Sequence, residues 1–223
     1  MSARDKIPVI FDLDGTLVDS APDLRAACVK MLRAEGKPAP SLQTVIGYIG
    51  NGIPRLVQRA MDDHGIAPDQ HPRLLTAYRA HYDAAPANLS RLYPNVPELL
   101  RHLHARGHKM AICTNKPADP ARQLLAALGI EAFFPVLVGG DSLSVKKPDP
   151  APLRDCLRQL GETRCLYVGD SEVDAQTAQN ADQPLALFRG GYRKASVSEL
   201  PHRFAFDNFA QLQGFVDHFS DDG

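Results

Sequence analysis

Val9-Ile10-Phe11-Asp12-Leu13-Asp14-Gly15-Thr16 is the stretch that decides the fold. The apolar run Ile7-Phe11 ends there, and two carboxylates follow at once, two positions apart. A run apolar at successive positions is buried on both faces. It predicts a strand inside a parallel sheet that helices cover on each side. In open α/β sheets the carboxyl ends of the strands line the ligand crevice. Asp12 and Asp14 would stand in that crevice and point in similar directions, if the extended path continues. Neighbouring carboxylates repel, so a divalent cation, or a proton on one of them, must stabilise the pair. Gly15 permits a tight turn directly after the strand.

Outward from this strand, four more short apolar runs read the same way: Met110-Cys113, Val136-Val138, Cys165-Val168 and Leu185-Phe188. Helical spacing separates them. Val96, Leu99, Leu100 and Leu103 recur at i, i+3, i+4 and i+7, as do Ala121, Leu124, Leu125 and Leu128, and Leu153, Cys156, Leu157 and Leu160. Gly107, Gly129 and Gly161 follow these helices as left-handed stops. Strand alternating with helix predicts an α/β fold, a doubly wound Rossmann-like parallel sheet.

One interval is too long. Between Phe11 and Met110 lie 98 residues, whereas a crossover helix with its loops needs roughly 20 to 30. The surplus is itself helical. Leu24, Ala27, Cys28, Met31 and Leu32 form one apolar stripe, stopped at Gly36. Ile53, Leu56, Val57, Ala60 and Met61 form another, stopped at Gly65, and a third helix is expected over Pro72-Asp83. Residues 19–88 are therefore expected to form an inserted α-helical cap subdomain. It would begin at Val18-Asp19-Ser20 and end at Ala85-Pro86-Ala87-Asn88, with residues 1–18 and 89–223 as the discontinuous core.

Three other predicted strand ends carry polar groups. Gly169-Asp170-Ser171-Glu172-Val173-Asp174 follows the fourth strand. The first and fourth strands of such a sheet can be neighbours, so this acidic cluster could face the first. Three or four carboxylates in one crevice make an oxygen-rich site suited to Mg²⁺. Thr114-Asn115-Lys116-Pro117 offers a hydroxyl and loop amides ahead of a helix, a setting for phosphate or for an ordinary helix cap. In Lys146-Lys147-Pro148-Asp149-Pro150, Pro148 restricts Lys147 and Pro150 suits a first helical turn, a frame able to aim one ammonium into the crevice. Within the insertion, Gly47, Gly50 and Gly52 fall in six positions just before a helix. Gly50, Asn51 and Gly52 would present free amides suited to a substrate carboxylate, with Arg55 assisting.

Composition narrows the partners. The chain has 223 residues, 44% apolar and 23% charged, with a formal net charge of -1. A balanced charge offers no broad field for a polyanion, and the absence of Trp leaves little for base stacking. Neither nucleic acid nor a membrane is expected as a partner. The four cysteines show no CxxC spacing and read as buried thiols of a reducing compartment. The N-terminus lacks an apolar signal region. A cytoplasmic protein, monomer or homodimer, is expected.

Taken together, the motifs resemble those of the haloacid dehalogenase superfamily of phosphotransferases. The DxDGT pattern stands at Asp12-Thr16, the second-motif hydroxyl at Thr114, the third-motif lysine at Lys147 and GDxxxD at Gly169-Asp174. The resemblance implies Asp12 as nucleophile, Asp14 as general acid/base, and Thr114, Asn115 and Lys147 as phosphate-binding groups. It implies Mg²⁺ held by Asp12, Asp14 (through its carbonyl) and Asp170, with Asp174 supporting the metal's surroundings. A carboxylate at Asp14 separates phosphatases from dehalogenases, which need no acid for a halide. The Gly50-Asn51-Gly52 loop and Leu92-Tyr93-Pro94-Asn95-Val96 are similar to those of bacterial phosphoglycolate phosphatases. This implies hydrolysis of 2-phosphoglycolate through an aspartyl-phosphate. A phosphatase of another small phosphate ester, a phosphomutase and a silent metabolite-binding scaffold are the alternatives. Two positions depart from that pattern: Asn95 stands where Gly is usual, and Asn180-Ala181-Asp182 replaces Ala-Ala-Gly.

Overall fold

The structure is a computed structural model that describes residues 6–84 and 87–219. Its centre is a six-stranded, all-parallel sheet. The strands are β1 (Val9–Phe11), β4 (Met110–Cys113), β5 (Val136–Val138), β6 (Leu166–Gly169), β7 (Leu185–Phe188) and β8 (Phe204–Phe206). Their spatial order is β5-β4-β1-β6-β7-β8. From β1 the chain winds first to one side and then, from β6, to the other. The switch point therefore lies between β1 and β6, which pair in the register Phe11 to Val168. β2 (Val18–Asp19) and β3 (Arg91–Leu92) form a separate antiparallel pair where the chain leaves and re-enters the sheet region.

Alternation along each strand fills both faces of the sheet. Val9 and Phe11 join one apolar cluster, with Leu100 and Leu103 of α5 (Val96–Ala105), Leu124 of α6 (Ala118–Ala127) and Phe209 of α9 (Phe209–Asp217). Ile10 points the other way. It meets Leu153 and Cys156 of α7 (Ala151–Leu160) and Ala175 of α8 (Glu172–Ala181). All four cysteines are buried thiols. α5, α6 and α7 are the helices the spacing predicts, and Gly107, Gly129 and Gly161 all adopt positive φ after them, whereas α8 is not among those predicted. β8 and α9 went unanticipated. So did β2 and β3, at two residues each too short to show a period.

The two departures from the phosphoglycolate phosphatase pattern have a common cause. Asn95 (φ 65°) and Asp182 (φ 56°) are the non-glycine residues with positive φ among those described. Glycine occupies the left-handed region without strain, and Asn and Asp are the side chains that tolerate it best. Both substitutions keep the turn.

The long interval holds α1 (Ala21–Ala34), α2 (Leu42–Ile46), α3 (Ile53–Asp63) and α4 (His71–Asp83). Their apolar stripes close on one another in a third cluster that includes Leu24, Cys28, Met31, Leu56, Met61, Leu74, Tyr78 and Tyr82. α2 was not foreseen, being five residues long. Of the expected exit Ala85-Pro86-Ala87-Asn88, the first two lie outside the described residues. No described helix is long and apolar enough to cross a membrane.

Candidate active site

The switch point places the acidic residues together. The Asp12 backbone N–H extends the ladder by donating to Val168 O at 2.8 Å, which sets Asp12 beside the end of β6. One carboxylate oxygen from each of Asp12, Asp170 and Asp174 lies within 4.8 Å of the others. Lys147 pairs with two members of this group: Nζ is 2.9 Å from Asp12 and 2.7 Å from Asp174, and donates to the Tyr167 hydroxyl at 2.8 Å. Burial would lower Lys147, but Asp12 and Asp174 hold its ammonium well above the usual lysine range.

The carboxylates differ in how they are satisfied. Burial raises Asp12 to about 6 against the pull of Lys147, with Asp174 adding repulsion. Burial, then repulsion from Asp174 and Asp12, pushes Asp170 well above the usual range. Asp170 accepts from the Thr16 hydroxyl at 2.8 Å and from Tyr192 N–H at 2.6 Å. Burial would raise Asp174 too, yet Lys147 and the donors Ser171 and Tyr167 keep its carboxyl below the usual range. Its oxygens accept from Lys147, Tyr167, Ser171 and the Asp170 N–H, so Asp174 braces Lys147 and the turn before α8.

Two glycines box in Asp170. A Cβ on Gly15 (φ 88°) would come within 2.6 Å of Asp170 Oδ2, and one on Gly191 within 2.3 Å. Side chains at either place would force this carboxylate out of position.

The donor set fits a hard divalent cation. All its ligand atoms are carboxylate oxygens, and two of those carboxylates, Asp12 and Asp170, carry unfavourable buried charge. The Asp14 carboxylate is turned away from the trio, toward the Ser20 hydroxyl at 2.6 Å and Lys116 Nζ at 3.2 Å. Lys116 is itself buried and lies over the Tyr82 ring of α4 at 4.8 Å. Burial would lower Lys116, but Asp14 holds its ammonium above the ordinary range. No local pattern marks Lys116, because its partner lies 102 residues away in the chain.

Thr114 is buried in the same crevice, and its Oγ1 accepts from Lys116 N–H. The Asn115 side-chain nitrogen is spent elsewhere. Its Nδ2 donates to Lys147 O at 3.0 Å and Gly50 O at 3.3 Å, while its buried Oδ1 has no partner among the described residues. Lys146, the exposed member of the pair, donates to Asn51 O at 3.0 Å.

These groups open into a cavity of about 210 Å³. Gly50, Asn51 and Gly52 line it from the helical side, with Leu24, Ile49, Ile53 and Leu56. Arg55 does not: it is exposed and lies outside the cavity lining. Helical side chains lean toward the N-terminus and cover the turn before their own Cα. Arg55, in the first turn of α3, therefore overshoots the helix end. Arg59, one turn later, reaches back over the loop and donates to Tyr48 O, Ile49 O and Asn51 Oδ1. Arg59 holds the loop that Arg55 was expected to serve.

Comparison with known proteins agrees with this geometry. The haloacid dehalogenase-like hydrolase family model matches residues 9–187. The chain belongs to this family. A phosphoglycolate phosphatase of Cereibacter sphaeroides is 49% identical over 210 residues, 93% of this chain and 96% of the relative. One from Rhodospirillum rubrum is 42% identical, with 92% and 88% covered. Among solved structures, a protein described as a predicted phosphoglycolate phosphatase from Haemophilus somnus 129pt superposes with a TM-score of 0.90 at 34% identity, covering 95% of this chain and 98% of its own. The chain is thus a haloacid dehalogenase-like enzyme of the phosphoric monoester hydrolase class.

Proposed function

We propose that the enzyme is a Mg²⁺-dependent phosphatase of 2-phosphoglycolate, releasing glycolate and phosphate. The observation that carries the reaction is the meeting of Asp12, Asp14, Thr114, Lys147 and Asp170 in one cavity. The substrate is supported by the names of the relatives above and by the small size of the cavity. Residues 1–18 and 89–223 serve as the core. Residues 19–88 serve as a cap whose loop excludes water and meets the leaving group.

Asp12 attacks phosphorus as its bond to the ester oxygen breaks, giving an aspartyl-phosphate. Asp14 gives its proton to the departing alkoxide. A water then attacks phosphorus and yields a proton to Asp14, and the Asp12–phosphorus bond breaks. Lys147 fixes the attacking carboxylate between itself and Asp174, while Ser20 and Lys116 fix Asp14. The Thr114 hydroxyl and its loop amides receive the phosphoryl oxygens. Asp12, Asp170 and the Asp14 carbonyl would hold Mg²⁺, which when bound would supply positive charge against the phosphoryl group.

Phosphate release from a set of small esters, with Mg²⁺ and with chelator, tests the proposal. Turnover of 2-phosphoglycolate should exceed that of sugar phosphates and nucleotides, and should stop with chelator. A clear preference for another ester would reassign the substrate. Isomerised product would point to a mutase, and no release from any ester to a silent binding protein.

Metal binding has a thermal signature as well. The folded Asp12 carboxyl titrates near 6 rather than 3.8. Its bound proton stabilises the fold fully below the unfolded value, and that gain is lost as pH rises through the folded one. Above that window the ionised cluster carries the repulsion that a cation relieves. The rise in Tm on adding Mg²⁺ should be larger at about pH 7.5 than at about pH 5. Scanning calorimetry showing equal gains at both would contradict a metal at these carboxylates.

A further inference from the structure

Lys116, Lys147 and Lys194 all line the cavity. Two of the three are neutralised: Lys147 by Asp12 and Asp174, Lys116 by Asp14. The ammonium of Lys194 has neither a carboxylate within ion-pair distance nor a hydrogen-bond acceptor among the described residues.

The backbone of Lys194 is nevertheless fixed. Glu172, the first residue of α8, accepts the N–H groups of Lys194 and Ala195 through one oxygen, at 2.6 and 2.5 Å. Glu172, the acid that acts on this lysine's charge, is thus engaged by the backbone and pins the loop after β7 at the cavity wall. The same loop is anchored two residues earlier, where Tyr192 N–H donates to Asp170 and the Tyr192 hydroxyl bonds Asp19.

Lys194 is close enough to Arg59 for their charges to repel, and the Arg59 guanidinium is occupied by the loop carbonyls and Asn51. Burial, then repulsion from Arg59, holds Lys194 below the usual lysine range, with Glu172 pulling the other way. Lys194 is exposed at the rim of the cavity, and a cation there, repelled by a second cation and with its acidic neighbour Glu172 bonded to backbone N–H groups, gains from an anionic ligand. Lys194 lines the same cavity as Gly50, Asn51 and Gly52 and feels the charge of Arg59, which holds that loop through Asn51.

We infer that Lys194 is a specificity-determining residue that binds the carboxylate of an anionic leaving group, between the β7 loop of the core and the Gly50–Gly52 loop. This rests on the phosphatase reading above and assigns to the core a selection expected only of the helical insertion.

The test compares 2-phosphoglycolate with 2-hydroxyethyl phosphate, an ester of similar size whose leaving group is neutral. In Lys194→Ala, kcat/KM for 2-phosphoglycolate should fall by about tenfold or more relative to 2-hydroxyethyl phosphate, chiefly through KM. Lys194→Arg should recover most of that ratio. Parallel losses on both esters, or an unchanged ratio, would overturn the inference. Circular dichroism and melting of each variant separate these outcomes from misfolding, and the ratio cancels loss of folded enzyme. Should the wild type ignore 2-phosphoglycolate, the substrate proposal falls by itself. The inference is then read from other anionic and neutral ester pairs. A wild-type preference for anionic leaving groups that Lys194→Ala removes supports it, and no such preference refutes it.

Discussion

Asp12→Asn should abolish turnover, a loss of about 10⁴-fold or more in kcat. The amide keeps the shape of the carboxylate but cannot attack phosphorus at a useful rate, so the covalent route closes. The fold should survive. Asp12 carries buried charge at a cost, with its pKa raised to about 6, and Lys147 keeps Asp174 as a partner at 2.7 Å when Asp12 becomes neutral. Loss of activity with a near wild-type melting curve is the expected pair of results. Acid quench during turnover should trap phosphate on the wild-type chain, at Asp12, and none on the variant. Retained activity within about tenfold of wild type would sink the covalent assignment, since a lost nucleophile is far more damaging than that.

Lys147→Met should damage both stability and catalysis. It leaves Asp12 and Asp174 as buried carboxylates without their shared cation. Removing one partner from a buried charge pair costs about 3–5 kcal/mol, or a fall of about 6–20 °C in Tm for a chain of this size. Turnover should drop by about 10²–10³-fold or more, because the charge that holds the nucleophile is gone. Lys147→Arg should not rescue it. The ammonium directs donors at Asp12, Asp174 and Tyr167 from one nitrogen, and a planar fork cannot reproduce that convergence. Thermal melts and phosphate release read the two effects separately. Wild-type values in both would mean that Lys147 does not carry the charge balance of the site.

Several parts of the fold were open to reading because their signals are local. Successive apolar residues at Val9–Phe11 and Met110–Cys113 announce strands buried on both faces, and Leu153, Cys156, Leu157 and Leu160 announce one face of a helix. β8 lacked that signal: Phe204 and Ala205 are only partly buried at the sheet edge, and the Phe-rich stretch that follows mixes both periods. The site was legible to the same extent. Asp12 and Asp170 each follow a buried strand directly, so their position in the crevice follows from the topology.

What the amino-acid sequence by itself determined is the doubly wound sheet, the helical interval and the strand ends that bear carboxylates, because strand and helix periods are written within ten or so residues. Only the tertiary structure decided which cation each carboxylate receives. Lys147 rather than Lys146 turns inward to Asp12, Lys116 takes Asp14, Arg59 rather than Arg55 holds the loop, and Lys194 is left open. Those choices depend on burial and on contacts between residues far apart in the chain. A charged side chain is driven to whichever partner the packed backbone brings within reach once water is excluded, and no local period records that partner.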